Sequence, residues 1–278
     1  MNIEVRLLSF LFFICLSFSS CQRNTNSIKI KGSDSVLPIS QREAEAFMEQ
    51  NPQAGVTVTG GGSGVGIAAL IDGTTHIAMS SREIKIGEKL RLKDKNRTLR
   101  EVTIAYDALA LVVHPANPIK ALKREDIEKI YTGKIDNWKD LGGKDQKIVA
   151  YARESSSGTY EYFKEAVLDR KEYASSVRSL TSNGAIIQSV GQAEGALGYI
   201  GLAYLNPKVK AIQVSFDKGK NFVDPSFENA KNKIYPISRP LYYYFVQESQ
   251  SLVQPYLDFA FSGRGQKIIT DIGYVPNK

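Results

Sequence analysis

Arg153, Ser157, Gly158 and Thr159 place one guanidinium, two hydroxyls and a backbone without side chain within seven residues. That combination suits the binding of an oxyanion. The run 147–152 ahead of it reads as a buried strand, and behind it Tyr160, Phe163 and Val167 recur at helical spacing. A helix that starts here leaves its first N–H groups without partners, and its macrodipole adds partial positive charge. Hydroxyls, free N–H groups and Arg153 at the strand end then converge on one spot. Taken alone, the stretch fits an ordinary serine N-cap beside an arginine at least as well.

The elements around it shift that balance. Residues 27–31 alternate as a first strand, Gly32, Ser33, Asp34 and Ser35 follow, and 37–50 reads as a helix with Leu37, Ala44, Phe47 and Met48 on its core face. Pro38 suits the first turn, which has no N–H partner to lose. A second strand, 56–59, runs into Gly60-Gly61-Gly62-Ser63-Gly64 and a short helix, 65–71. A third, 77–79, ends in Ser80-Ser81-Arg82-Glu83. Counting the opening stretch, strand, Ser/Gly loop and helix start occur three times. Each aims donors at the carboxyl end of a strand, where open α/β sheets bind ligands.

The remaining chain reads as support. Residues 85–100 are densely charged and predict a solvated helix with its loop rather than a nucleic-acid patch. Residues 103–114 form a long strand stopped by Asn117-Pro118, 123–131 a helix, 183–192 another helix and 196–200 a strand. The stretch 206–235 is polar and irregular, with one strand expected at 211–214. A second long apolar run, 241–246, matches the one at 103–114, and the two suit a pair of strands crossing between lobes. Residues 251–272 are helical in pattern, with interruptions expected at Pro255 and at Gly263-Arg264-Gly265.

At 278 residues, with 42% hydrophobic and 23% charged residues, the chain suits one large or two ordinary globular domains. Residues 7–18 are continuously apolar, too short for a membrane span and of the length of a signal-peptide core. They run into Phe18-Ser19-Ser20-Cys21, which resembles a bacterial lipoprotein processing site with Cys21 as the lipidated first residue. The other cysteine, Cys15, lies in the segment to be removed, so no disulfide is expected. Residues 1–20 are thus expected to be a signal peptide and 21–27 a tether on the lipid anchor. The protein then sits on the membrane in the cell envelope, facing the periplasm or the exterior. The net charge of +7 fits a small anion or an acidic envelope surface better than nucleic acid in an exported protein.

Seven motifs in order resemble the periplasmic phosphate-binding proteins, the substrate-binding subunits of the phosphate ABC importer. They are Gly32 to Pro38 (GSDSVLP), Gly62 to Gly66 (GSGVG), Ala78 to Arg82 (AMSSR), Ile130 to Gly133 with Asn137-Trp138, Arg153 with Ser157-Gly158-Thr159, Gly195 to Tyr199 (GALGY) and Tyr235 to Pro240 (YPISRP). The resemblance covers nearly all of the mature chain. It implies an α/β, two-lobed periplasmic-binding-protein fold of type II, with the ligand cleft between lobes joined by two crossover strands. Lobe I would comprise 28–112 and 236–278, and lobe II 113–235. It implies a phosphate site of Ser33, Ser35, the Val36 backbone, Ser63, Gly64, Ser81, Arg82, Arg153, Ser157, Gly158 and Thr159. The partners it implies are inorganic phosphate and the importer's permease subunits, bound by a monomer without cofactor.

The sequence departs from the best-known members at one telling place. They carry an Asp after the third-loop serine, which accepts the phosphate proton and so excludes sulfate. Here that position is Arg82, followed by Glu83. They also carry an Asp two residues after the arginine, where this chain has Ser155. Asp34 and Glu83 are the candidates to take the proton instead. Other readings are a binder of sulfate, molybdate or arsenate, a phosphate sensor or adhesin, and an enzyme. The last is disfavoured, because a hydrolase needs a nucleophile with a positioned base. The chain offers only His76 and His114, no elbow motif and no carboxylate cluster for a metal.

Overall fold

The computed structural model describes residues 27–277. The expected signal peptide, Cys21 and most of the tether lie outside them. In chain order the elements are β1 (Ile28–Gly32), α1 (Leu37–Gln50), β2 (Val56–Thr59), α2 (Ser63–Asp72), β3 (Ile77–Ser80), α3 (Ile86–Asp94), β4 (Leu99–Val113), β5 (Ala121–Lys123) and α4 (Arg124–Tyr131). Then come β6 (Val149–Arg153), α5 (Gly158–Ala166), β7 (Arg178–Leu180), α6 (Asn183–Gln192), β8 (Ala196–Gly201), β9 (Lys210–Ala211), β10 (Gln213–Ser215) and α7 (Phe227–Lys231). The chain closes with β11 (Ser238–Val246), α8 (Gln250–Ala260), α9 (Gly263–Asp271) and β12 (Val275–Pro276).

The strands run in the order β2-β1-β3-β11-β4-β8-β6-β7. β1 pairs in parallel with β2 and β3, so the loops after all three emerge at one end. β6 pairs in parallel with β7 and β8. Between these parallel groups lie the two long antiparallel strands. β4 pairs with β11 through Ala108 and with β8 from Leu109 onward. One strand thereby serves two lobes.

The apolar clusters follow the same division. In lobe I, Ile30, Ile39, Phe47, Met79, Leu241, Tyr243 and Tyr256 pack on one face of the sheet, and Ile67, Leu70, Ala78 and Tyr244 on the other. In lobe II, Leu109, Leu111, Tyr131, Trp138, Phe163 and Tyr199 form the larger core, and Val112, Ile186 and Val190 the opposite face. Sheet faces covered on both sides explain why β3 up to Met79, β8 and residues 108–113 of β4 read as unbroken apolar runs. Residues 108–112, expected in lobe I, pack in the lobe II cores, because β4 changes partner at 108/109. Leu99 and Arg100, expected in the charged helical stretch, already belong to β4.

Two helical expectations are corrected. Pro255 lies inside α8 without ending it. The N–H it lacks would have bonded the carbonyl of exposed Ser251, which water can serve. Gly263 and Gly265 open α9 instead of breaking a helix: Ser262 caps it, its Oγ accepting from Gly265 N at 3.2 Å. The tyrosines of β11 are buried. Tyr243 reaches Ser40 and Glu43, and the Tyr244 hydroxyl accepts from Ile84 N.

Candidate functional site

Three loops of lobe I and one helix start of lobe II meet where β4 and β11 cross. Gly32 ends β1 at φ +143°, a conformation that favours glycine. A Cβ there would lie 2.2 Å from the Met79 carbonyl oxygen. The chain therefore turns tightly beneath Ser33 and brings it to the third loop, where Ser33 Oγ donates to Ser81 Oγ at 3.0 Å. Ser63, the first residue of α2, shares a 3.3 Å hydrogen bond with Ser81 Oγ and accepts from Ser81 N at 3.1 Å. From the other lobe, Ser157 caps α5 and accepts from Thr159 N at 3.2 Å. Thr159 Oγ1 and Ser35 Oγ lie 3.1 Å apart. Ser33, Ser35, Ser63, Ser81, Ser157 and Thr159 are all buried.

Two buried guanidiniums flank these hydroxyls. Arg153, at the end of β6, is 1% exposed; it donates to Asp34 Oδ2 at 3.2 Å and to the Thr181 carbonyl at 2.7 Å. Burial lowers its pKa, with Asp34 acting against that shift. Arg239, on β11, is 2% exposed and paired at 3.1 Å with Asp107, directly across on β4. Burial pushes the Asp107 carboxyl up, and Arg239 opposes it. Neither Arg153 Nε nor Arg239 Nε has a hydrogen-bond partner among the described residues. A buried N–H without a partner is costly, and two such groups on cations beside a hydroxyl cluster fit a site built for an anion.

The lobes touch one another at this point. Asp34 Oδ2 also accepts from the backbone and side-chain nitrogens of Asn183, at 3.1 and 2.7 Å, at the start of α6. Gly64 N donates to the Ser156 carbonyl at 3.0 Å, and Lys85 pairs with Glu161 at 2.9 Å. Gly158 sits so close to lobe I that a Cβ would lie 2.3 Å from Ser63 Oγ and 2.7 Å from Ser81 Oγ. Tyr204 and Tyr274 brace the first loop from behind, donating to the carbonyls of Asp34 and Ser35 at 2.7 and 2.8 Å.

Most of the expected site residues thus come together: Ser33, Ser35, Ser63, Gly64, Ser81, Arg153, Ser157, Gly158 and Thr159. Three are placed otherwise than expected. The Val36 N–H, expected to face the anion, donates to the Ser33 carbonyl at 3.1 Å in the turn before α1. Arg82 reaches the Gly64 edge of the cluster, its Nη2 3.8 Å from where a Gly64 Cβ would lie, but both its terminal nitrogens are taken by Glu88 in the first turn of α3, at 2.8 and 2.7 Å. Glu83 is exposed, in a groove that adjoins the cluster through Ser81, Arg82 and Arg239 and runs out to Lys85, Ile86 and Tyr242.

Sequence reasoning missed Arg239, Asp107 and Asn183. Arg239 lies within one of the quoted motifs, and a lone arginine in an otherwise apolar strand was the available signal. The histidines are structural: His76 Nδ1 accepts from Lys29 N and His114 Nδ1 from Ala116 N. Among the described residues no group of three His, Cys, Asp or Glu side chains gathers as for a metal.

The model of the PBP superfamily domain matches residues 19–264. The phosphate-binding protein PstS of Bacillus subtilis (strain 168) is 35% identical over 257 residues, which cover 92% of this chain and 82% of that one. The PstS of Pseudomonas aeruginosa PAO1 is 30% identical, with 88% and 81% covered. Among solved structures, a phosphate ABC transporter substrate-binding protein from Clostridium perfringens with bound phosphate superposes with a TM-score of 0.83 at 37% identity, over 91% of this chain and all of that one. An ABC-type phosphate transport receptor from Vibrio cholerae gives 0.73 at 35% identity, over 89% and 99%. By the extent of these matches and the fold that positions its hydroxyl cluster, the chain belongs to the PBP superfamily and, within it, to the PstS-like phosphate-binding proteins.

Proposed function

We propose that the protein captures inorganic phosphate between its two lobes and delivers it to the permease of an ABC importer. The observation that carries this is the interlobe cluster, in which six buried hydroxyls and two buried guanidiniums meet at the start of α5. Such a set replaces the water shell of a small multivalent oxyanion. Because Ser35 and Thr159 come from different lobes, an anion that engages both favours the closed arrangement, and closure follows from that differential binding.

Of the two candidate proton acceptors, Asp34 has the supporting geometry. Its Oδ2 takes Arg153 and Asn183 beside the cluster, which leaves Oδ1 as the oxygen that would accept the ligand's proton. Glu83 is exposed to solvent. Anchoring through Cys21, a position outside the cytoplasm and action as a monomer complete the reading. The protein serves as a binding module rather than a catalyst. The described residues include no thiol, and both histidines are engaged with backbone N–H groups.

Calorimetric titration of residues 22–278 with phosphate, arsenate, sulfate and molybdate across pH 5 to 9 tests the reading. It expects tight phosphate and arsenate binding, with sulfate ignored. Sulfate or molybdate binding tighter than phosphate would overturn the ligand. No oxyanion binding at all would favour a sensor or adhesin.

A further inference from the structure

Among the described residues Arg239 is the one cation hydrogen-bonded to hydroxyls of both halves of the cluster, and it reaches them from the strand that joins the lobes. Its Nη2 lies within hydrogen-bond distance of Ser35 Oγ in lobe I (3.1 Å), Thr159 Oγ1 in lobe II (2.9 Å) and Asp107 Oδ2 (3.1 Å). Its Nη1 donates to the Ser81 carbonyl at 3.1 Å. The Tyr162 ring covers the guanidinium at 5.4 Å, with the Tyr162 hydroxyl fixed on the Ser238 carbonyl. The group is therefore pinned on several sides.

A serine or threonine hydroxyl carries one proton and two acceptor lone pairs, and it rotates to suit its surroundings. An arginine N–H has no such choice: it donates, and it is never deprotonated. Nη2 has two N–H groups for three acceptors; when both turn to Ser35 Oγ and Thr159 Oγ1, Asp107 is held by charge and one lone pair on each hydroxyl is taken. With an oxyanion in the cleft, both hydroxyl protons are then available to it in place of the 3.1 Å Ser35–Thr159 contact.

We propose that Arg239 is a positioning residue that makes Ser35 and Thr159 obligate donors to the anion and links their approach to the crossing point of the lobes. Asp107 holds the guanidinium in place and balances its charge, as Asp34 does for Arg153, so the cleft gains fixed donors without an uncompensated cation. The proposal rests on the phosphate reading above and adds a specificity rule. Anion oxygens facing Ser35 and Thr159 must be unprotonated, and any ligand proton must lie on the Asp34 side.

The test is a double-mutant cycle read by phosphate titration, with the melting temperature of the unliganded protein measured beside it. One arm is Arg239→Met with Asp107→Asn, which removes the donors and the charge pair together; the other is Ser35→Ala with Thr159→Val. The Arg239 arm is expected to weaken phosphate binding about 30-fold in the otherwise unaltered protein and less than about threefold when the two hydroxyls are already absent. Equal losses in both backgrounds would overturn the proposal, since a structural role gives additive effects. Arg239→Lys keeps a cation beside Asp107, and the same cycle run with it covers the case in which the Met variant does not fold. Its loss must be smaller and must also vanish without the hydroxyls. A protein that prefers another oxyanion refutes the ligand assignment alone, and the cycle then reads on that anion.

Discussion

Replacing Gly158 by alanine separates closure from folding. Gly158 opens α5, where alanine is at least as good a helix former, so lobe II gains no intrinsic reason to destabilise. The added methyl acts only across the cleft. Built on the present backbone, it meets Ser63 Oγ at 2.3 Å, Ser81 Oγ at 2.7 Å and Ser63 Cβ at 3.0 Å. Ordinary contacts between such atoms need about 3.5 Å or more. The lobes must therefore stay apart by roughly an ångström, enough to spoil the hydrogen bonds that bridge them. If three charge-assisted donors on the far lobe are lost at about 1.5 kcal/mol each, affinity falls by some 4 to 5 kcal/mol, on the order of a thousandfold. Titration calorimetry reads the affinity, and thermal denaturation without ligand reads the stability. The expected result is phosphate binding weakened a hundredfold or more with a melting temperature within about 3 °C of the original. Binding within threefold of the unaltered protein would refute the argument that this closed packing is the bound arrangement.

Other substitutions probe the remaining groups. Asp34→Asn removes the carboxylate proposed to accept a ligand proton while relieving negative charge near the anion; the preference for phosphate over sulfate should fall by about tenfold or more in parallel titrations. An unchanged ratio would move the acceptor elsewhere. Lys85→Ala breaks an ion pair whose partners are 53% and 25% exposed, and it should change phosphate affinity by less than about threefold. Glu43 is fully buried against Tyr243 and Tyr256, with Oε1 unpartnered among the described residues, and burial raises its pKa from the usual 4.5 to about 8. The folded form holds the proton more tightly, so the contribution of this one group is fully present below pH 4.5 and is lost as pH climbs toward 8, by up to ~5 kcal/mol at the upper bound. Glu43→Gln should flatten that part of the profile and raise the melting temperature at pH 8 to 9; a parallel profile would show that another group carries it.

The parts that sequence made legible are local ones. A strand, a Gly/Ser loop and a helix start lie within about a dozen residues, and together they set where the loop's donors sit at the strand end. Ser35, Ser63, Ser157 and Thr159 belong to such units and meet as their motifs imply. What stayed hidden depends on partners far along the chain. Arg239 gains its role from Asp107, 132 residues away, and from hydroxyls of both lobes. Asn183 matters only because Asp34 reaches it from the other lobe. Arg82 looked like a site cation until Glu88, six residues on, claimed both its terminal nitrogens. Glu43 follows helical periodicity to the buried face of α1, where two tyrosine hydroxyls 213 and 200 positions later make a carboxyl tolerable. The partner change within β4 is likewise invisible in an apolar run that reads the same in either lobe.

The most direct test of the account is to crystallise the protein with arsenate and locate arsenic by its anomalous scattering. The account predicts one strong peak between Ser35, Ser63 and Ser81 on one side and Arg153, Ser157 and Thr159 on the other, with Arg239 behind the Ser35 and Thr159 hydroxyls. A peak on the outer rim beside Arg82 and Glu83, with the interlobe cluster unchanged, would contradict it.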